Sequence, residues 1–320
     1  MILMKTVQLG NTNLAVSNVA LGIMRMNGLS AKQAAEVLTT AKEAGINYID
    51  SADIYGMGGS EETFAAGMKE AGFTRDDFYI QSKGGIVIDQ DRSHDDIVLG
   101  KRYDFSKQHL LDAVDGILKR MKIDYLDAFL LHRPDPLLEV DEIAAAFDEL
   151  QTSGKVRHFG VSNFNPQQVE LVQSGINQRL MMNQLQFGLM HTGMVDFGLH
   201  TNMADADSIS HDGGLMEYTR RKNMLIQAWS PFQYGVFEGP FVDNPKFPEL
   251  NALLAKMADE KGVTKNAIVT AWILRHPAQT QVILGTMNPQ HLKESAAGSD
   301  VTLTKQEWYD LYFEAGHELP

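Results

Sequence analysis

Tyr48-Ile49-Asp50-Ser51-Ala52-Asp53-Ile54-Tyr55-Gly56 is the stretch on which the fold turns. The apolar, β-prone run from Ile46 to Ile49 stops abruptly at a carboxylate, and a tyrosine stands beside a glycine shortly after it. This is the pattern of a short buried strand that delivers Asp50 to a sheet rim, followed by a loop that presents a phenol. Taken alone, the pair is better read as an aspartate opening a turn and a tyrosine packing on a surface, since Asp is common after strands. The other strand ends decide between the two.

Working toward the N-terminus, Val19 to Gly22 reads as a first buried strand, and Ser30 with Gln33 is a capping box opening a helix to about Glu43. Before it, Thr6–Leu9 and Leu14–Val16 flank Gly10-Asn11-Thr12-Asn13 as a small hairpin. Toward the C-terminus, a helix runs from Ser60 to about Ala71, and a third strand, Phe78 to Lys83, ends in lysine. A polar loop over 84–104 precedes a helix from Ser106 to Met121. Further strands are expected at Ala128–Leu131 ending at His132, Val156–Val161 ending at Ser162-Asn163, Met182–Phe187, Leu225–Trp229 and Gln281–Leu284. Helices separate them, with 188–210 and 230–245 as long loops and Thr304–Ala315 as a last helix.

Eight buried strands alternating with helices predict parallel pairing through right-handed crossovers. Over 320 residues this is a (β/α)8 TIM barrel with an N-terminal β-hairpin and a C-terminal helix, one domain over 1–320. A doubly wound dinucleotide fold calls for glycines after strand one, and Gly22-Ile23-Met24-Arg25 has no such fingerprint. Gly56-Met57-Gly58-Gly59 departs from G-x-G-x-x-G at Glu61.

The chain is 44% hydrophobic and 22% charged, with a formal charge of −13 and no cysteine. Disulfides and thiolate metal sites are excluded, and nucleic acid or anionic membranes are poor partners for so acidic a chain. No stretch approaches a membrane span and no signal peptide is expected, so a cytoplasmic location follows as the expectation. His191, His200 and His211 lie near Asp196, Asp205, Asp207 and Asp212, but their spacing fits no ligand pattern and no metal is expected.

In a barrel the strand ends converge on one mouth, which brings Asp50 and Tyr55 toward Lys83 and His132. A free tyrosine titrates near ~10, a poor match for neutral-pH proton transfer. An ammonium nearby favours phenolate and lowers that value. Asp50 supplies the counter-charge a confined lysine needs, and His132 can orient a substrate oxygen. Together the four describe an acid that protonates an alkoxide developing from a carbonyl.

These residues resemble the aldo-keto reductases over almost the whole chain. Asp50 to Gly56 is similar to the family's D-[TS]-A-x-x-Y-G signature, and Lys122 to His132 to its strand-four signature. Gly154-Lys155-Val156-Arg157-His158-Phe159-Gly160-Val161-Ser162-Asn163-Phe164 is similar to G-K-x-R-x-x-G-V-S-N-F. Asn183-Gln184 and Trp229-Ser230-Pro231 also fall in place, and His132-Arg133-Pro134-Asp135-Pro136 resembles the family's YdhF-like bacterial branch. The resemblance implies reversible reduction of an aldehyde or ketone, with Tyr55 as proton donor, Lys83 and Asp50 tuning it, and His132 orienting the carbonyl. It implies NADPH as cofactor, with NADH possible. Ser162, Asn163 and Gln184 then bind the carboxamide, and Trp229 stacks on the ring.

For the phosphate end, Gly285 and Thr286 lead into a helix begun by Pro289, with Thr286 or Asn288 as its cap. Ser230 and Phe232 lie close in the chain, and His291, Lys293, Glu294 and Ser295 complete the expected cofactor segment. Gly285 and His291 stand where relatives often carry cations, which leaves Lys293 as a substitute or the helix terminus alone. A small carbonyl substrate and a monomer or small homo-oligomer are expected. A nucleotide-binding, redox-sensing regulatory subunit with little turnover is the alternative; a phosphosugar isomerase would need no carboxamide site.

Overall fold

The computed structural model describes residues 4–93, 99–235 and 238–320. A hairpin of β1 (Thr6–Gln8) and β2 (Ala15–Ser17) comes first. β3 (Val19–Gly22) leads to α1 (Ala31–Glu43), and β4 (Tyr48–Asp50) to α2 (Gly59–Ala71). β5 (Tyr79–Gly84) is followed by the antiparallel pair β6 (Ile86–Ile88) and β7 (Gly100–Tyr103), then by α3 (Lys107–Met121). Next come β8 (Leu126–His132) with α4 (Val140–Thr152) and β9 (Val156–Ser162) with α5 (Pro166–Gly175). β10 (Leu180–Gln186) precedes α6 (Gly193–Leu199) and α7 (Leu215–Lys222); β11 (Leu225–Trp229) precedes α8 (Pro248–Lys261) and α9 (Lys265–Leu274). β12 (Thr280–Leu284), α10 (Pro289–Ala296) and α11 (Lys305–Glu314) end the chain.

Eight parallel strands close in the order β10-β11-β12-β3-β4-β5-β8-β9, the TIM barrel expected from the alternation. Side-chain alternation explains its two cores. Val19, Leu21, Ile49, Phe129 and Leu131 point outward into the layer shared with the helices. Ala20, Tyr48, Ala128, Leu130, Met182 and Leu225 point inward and meet Leu9 and Val16 of the hairpin region, which plugs the barrel floor. The expected capping box holds: Gln33 N donates to Ser30 Oγ, and the Gln33 side chain returns to the Ser30 backbone.

At the N-terminal end of the barrel Asp127, buried on β8, accepts from Ile80 N at 2.8 Å and pairs with Arg75 at 2.6 Å. Arg75 and Arg157 sandwich the Tyr125 ring, their Cζ atoms 4.0 and 3.7 Å from its centroid. On the outside, Trp272 of α9 and Trp308 of α11 stack at 4.8 Å and exchange Nε1–H···O bonds of 3.0 and 3.2 Å. The last helix is thus anchored to α9 through its aromatic residues.

Two loop expectations are corrected. The polar stretch 84–104 contains the β6–β7 hairpin, and 188–210 contains α6 and a 3-10 turn at Ala206–Ser208. Residues 94–98 and 236–237, within the stretches 84–104 and 230–245 expected as loops, lie outside the described residues. Among the described residues no helix is long and apolar enough to cross a membrane.

Candidate active site

Parallel register brings the strand ends to one face, Asp50 lying beside Gly22 and Gln81, Lys83 beside Leu130, and His132 beside Ser162. Lys83 is fully buried, and its Nζ donates to both Asp50 oxygens at 2.8 Å and to Ser51 O at 2.6 Å. Asp50 Oδ1 also accepts from Gln81 Nε2 at 2.7 Å and Gln184 Nε2 at 2.8 Å. The lysine ammonium stands 5.1 Å from the Tyr55 ring centroid, and the Tyr55 and His132 rings meet edge to face at 6.2 Å. All four expected groups are therefore brought together.

The electrostatics differ from the expectation in one respect. Burial pushes the Tyr55 phenol above its ordinary value, and the pull of Lys83 only partly offsets this. Burial also works against the charge of Lys83, yet Asp50 and Tyr55 more than compensate and hold it above its usual value. His132 is driven well below the usual histidine range by burial, then by Lys83 and Arg133, so it is neutral. Its Nδ1 is buried without a hydrogen-bond partner.

The loop after β4 is shaped by close backbone approach. Gly56 takes φ 56°, and a side chain there would meet Asn27 at 2.6 Å. The glycine cluster that failed as a dinucleotide fingerprint thus lets Asn27 press against the turn behind Tyr55.

Ser162, Asn163 and Gln184 assemble around one carbonyl. Asn163 N and Ser162 Oγ both donate to Gln184 O, at 3.0 and 3.1 Å, while Asn163 Nδ2 donates to Ser162 Oγ at 2.8 Å. Trp229 Nε1 donates to Asn163 Oδ1 at 3.2 Å, which fixes the indole. Gln184 Nε2 is committed to Asp50, and among the described residues its Oε1 accepts no bond. An open acceptor on Gln184 and a remaining amide hydrogen on Asn163 are complementary to a primary carboxamide, so the residues present fit the group.

At the phosphate end Asn288 caps α10, accepting from Gln290 N at 2.9 Å and His291 N at 3.3 Å, and its own N–H donates to Thr286 Oγ1 at 3.2 Å. Thr286 and Gly285 are half-buried, and His291 and Lys293 are exposed. Glu294 accepts from Gln290 Nε2 at 2.8 Å and Asn266 Nδ2 at 2.9 Å, and Ser295 is buried. Ser230 takes φ 49° after β11, while Phe232 packs partly buried on the core.

Sequence reasoning missed several residues. Arg25, exposed after β3, donates Nη1 to Gly285 O at 3.3 Å, because β3 and β12 are neighbours. Gln81, Gln227 and Gln281 form a buried chain behind Asp50, and polar residues inside apolar strands were the available signal. Gln81 and Gln227 exchange bonds of 2.9 and 3.1 Å, Gln227 Nε2 donates to Gln281 Oε1 at 2.9 Å, and Gln281 Nε2 to Ser17 O at 2.7 Å. Asp53 has a buried, unpartnered Oδ1 and is pushed up to about 7 by burial and then by Glu61, with Arg120 opposing. His200 pairs with Asp205 at 3.0 Å and His211 stacks edge-on against Phe197; among the described residues no three potential metal ligands cluster.

Comparison with known proteins follows this geometry. The description of the aldo/keto reductase family matches residues 18–312. A 6-dehydroglucose reductase of Agrobacterium fabrum is 33% identical over 303 residues, covering 93% of this chain and 94% of its own. The oxidoreductase YdhF of Escherichia coli is 30% identical over 91% of each chain. Among solved structures, an aldo-keto reductase from Klebsiella pneumoniae in complex with NADPH superposes with a TM-score of 0.74 at 24% identity, covering 97% of this chain and 94% of that one.

Proposed function

The chain belongs to the aldo/keto reductase family and is an oxidoreductase, and from that premise we propose that it reduces the carbonyl of a small aldehyde or ketone with NADPH, Tyr55 donating the proton. The observation that carries this reading is the convergence of Tyr55 and His132 on a Lys83–Asp50 pair closed at 2.8 Å. The cofactor, when bound, supplies the hydride to the carbonyl carbon. Ser162, Asn163 and Gln184 hold its carboxamide and Trp229 its ring, so that one face is presented. Arg25 and Lys293, with Thr286 and His291, serve the phosphates and supply the cation that Gly285 does not.

Tyr55 is protonated at neutral pH because burial holds its proton, which suits a donor in the direction of reduction. As its proton passes to the carbonyl oxygen, Lys83 stabilises the phenolate left behind, and Asp50 keeps the lysine charged and in place. Neutral His132, with Nδ1 enclosed, directs the opposite nitrogen to the same oxygen. A polyhydroxylated aldehyde of the kind in the Agrobacterium relative's name heads the substrate panel. We place the enzyme in the cytoplasm, as a monomer or small homo-oligomer, in keeping with a chain that has no cysteine.

The test is the rate of NADPH and of NADH consumption over aldehydes, diketones and oxidised sugars, for wild type beside Tyr55→Phe. The variant should lose about 10²–10⁴-fold in turnover with unchanged nucleotide affinity. If both proteins bind nucleotide tightly and neither turns over any carbonyl, a redox-sensing subunit replaces the reductase.

A further inference from the structure

Arg133 follows His132 directly and takes φ 99°, a backbone conformation that costs a non-glycine residue of order 1–3 kcal/mol. Its guanidinium lies 5.6 Å from the centroid of the Trp229 ring, within cation–π range. Among the described residues it makes no hydrogen bond and no ion pair. Of the groups beside it, Lys83 is closed onto Asp50, and burial drives His132 well below the usual histidine range. Buried Asp135, the nearest acid in sequence, accepts from Leu137 N at 2.8 Å and, among the described residues, closes no ion pair with Arg133. Among the described residues no ion pair closes on this positive charge, which stands over the indole on a backbone of positive φ.

An oxidised nicotinamide ring carries a positive charge and a reduced ring is neutral. We propose that Arg133 makes this site discriminate between the two redox states of its cofactor, disfavouring the cationic oxidised ring at Trp229 and so favouring loading with NADPH and release of NADP+. This rests on the reading of Trp229 as the ring's platform. It needs no new contact to the nucleotide, because the effect is Coulombic and acts across a partly desolvated mouth, where neighbouring like charges lose about tenfold in affinity. It also explains why the position is not glycine, which would take φ 99° freely but would leave the indole without a cation.

The experiment is titration of NADPH and of NADP+ by calorimetry and tryptophan fluorescence, for wild type, Arg133→Met, Arg133→Gly and Arg133→Lys. Wild type should bind NADPH more tightly than NADP+. The Kd(NADP+)/Kd(NADPH) ratio should fall about tenfold in Arg133→Met and Arg133→Gly and be largely kept in Arg133→Lys, with the wild-type ratio shrinking as salt is raised. Arg133→Gly serves as the folding control, since its melting temperature should be no lower than that of wild type. A ratio unchanged within twofold in both neutral variants, with both nucleotides still bound, overturns the proposal. So does a ratio that stays put while the KM for the carbonyl substrate alone rises, which makes Arg133 a substrate contact. Failure of wild type to bind either nucleotide instead removes the cofactor reading, and this proposal with it.

Discussion

Asp53 stands three places after Asp50 in a loop that must turn sharply, and its burial has a thermodynamic cost separate from catalysis. Its amide donates to Lys83 O at 3.0 Å, but Oδ1 has no partner, and Glu61 and Arg120 share the space behind it. With the folded value raised to about 7 and the unfolded value near ~3.9, the native state holds a proton that the unfolded chain has already lost. The contribution to stability is therefore complete below the unfolded value and declines as pH rises toward 7. Relative to wild type, Asp53→Asn should gain melting temperature progressively between pH 4 and 7 and keep a constant gain above that. A difference that does not vary with pH would show that the carboxyl is hydrated rather than enclosed. At this scale Asp50, Lys83 and His132 were legible because each closes a strand, and Tyr55 because it stands beside a glycine in the loop after one. Asp53, Arg25 and Gln81 were not, since what they do depends on which strand lies beside them. The direction of the Tyr55 shift was misjudged for a related reason: charge near a phenol can be read from sequence, but depth of burial cannot.

Among the elements, the β6–β7 hairpin shows how little signal a short edge ribbon carries. Its second strand, Gly-Lys-Arg-Tyr, is exposed throughout, so no alternation of apolar and polar residues marks it. What anchors the ribbon is Gly85, at φ 109°, against Phe105; a side chain there would meet the ring at 2.1 Å. Gly85→Ala should destabilise the protein by about 2–3 kcal/mol through strain and overpacking together, measured by urea denaturation. A loss below about 0.5 kcal/mol would mean that the ribbon moves as a unit away from Phe105. Long helices and buried strands were legible to within a residue or two, because caps such as Ser30 with Gln33 and continuous apolar runs state their own ends. The region 188–210 was not, because α6 is only Gly193–Leu199 and holds its place through tertiary bonds such as Tyr312 OH to Asp196 at 2.7 Å.

The whole molecule separates its tasks along the barrel axis. The candidate site gathers at the C-terminal strand ends, and the Arg75–Tyr125–Arg157 stack with Asp127 braces the opposite end. Between them runs the amide chain, aided by register, which sets Gln184 beside Gln227 and Gln227 beside Gln281. Gln227→Leu would leave Gln281 Oε1 without its donor and remove a bond from each of Gln81 and Gln184 in a dry interior, and should cost about 2–4 kcal/mol with the denaturant slope unchanged. A cost under 1 kcal/mol would indicate that water already enters the barrel and satisfies them. The closed architecture was legible from the count of strands; this polar interior was not, because inward and outward faces are assigned only once the barrel has closed. The chain of glutamines has a further implication for descent. Asp50 at one terminus and the Ser17 carbonyl at the other can only receive hydrogens, so the amides between them are dictated from both sides and none can turn over alone. A mutation at any one link breaks a sentence whose other words cannot be rearranged to suit. The interior should therefore be inherited as a block: lineages that lose one of these glutamines should have lost its partners too, and a mouth grafted from another barrel should work only when this hidden lining travels with it.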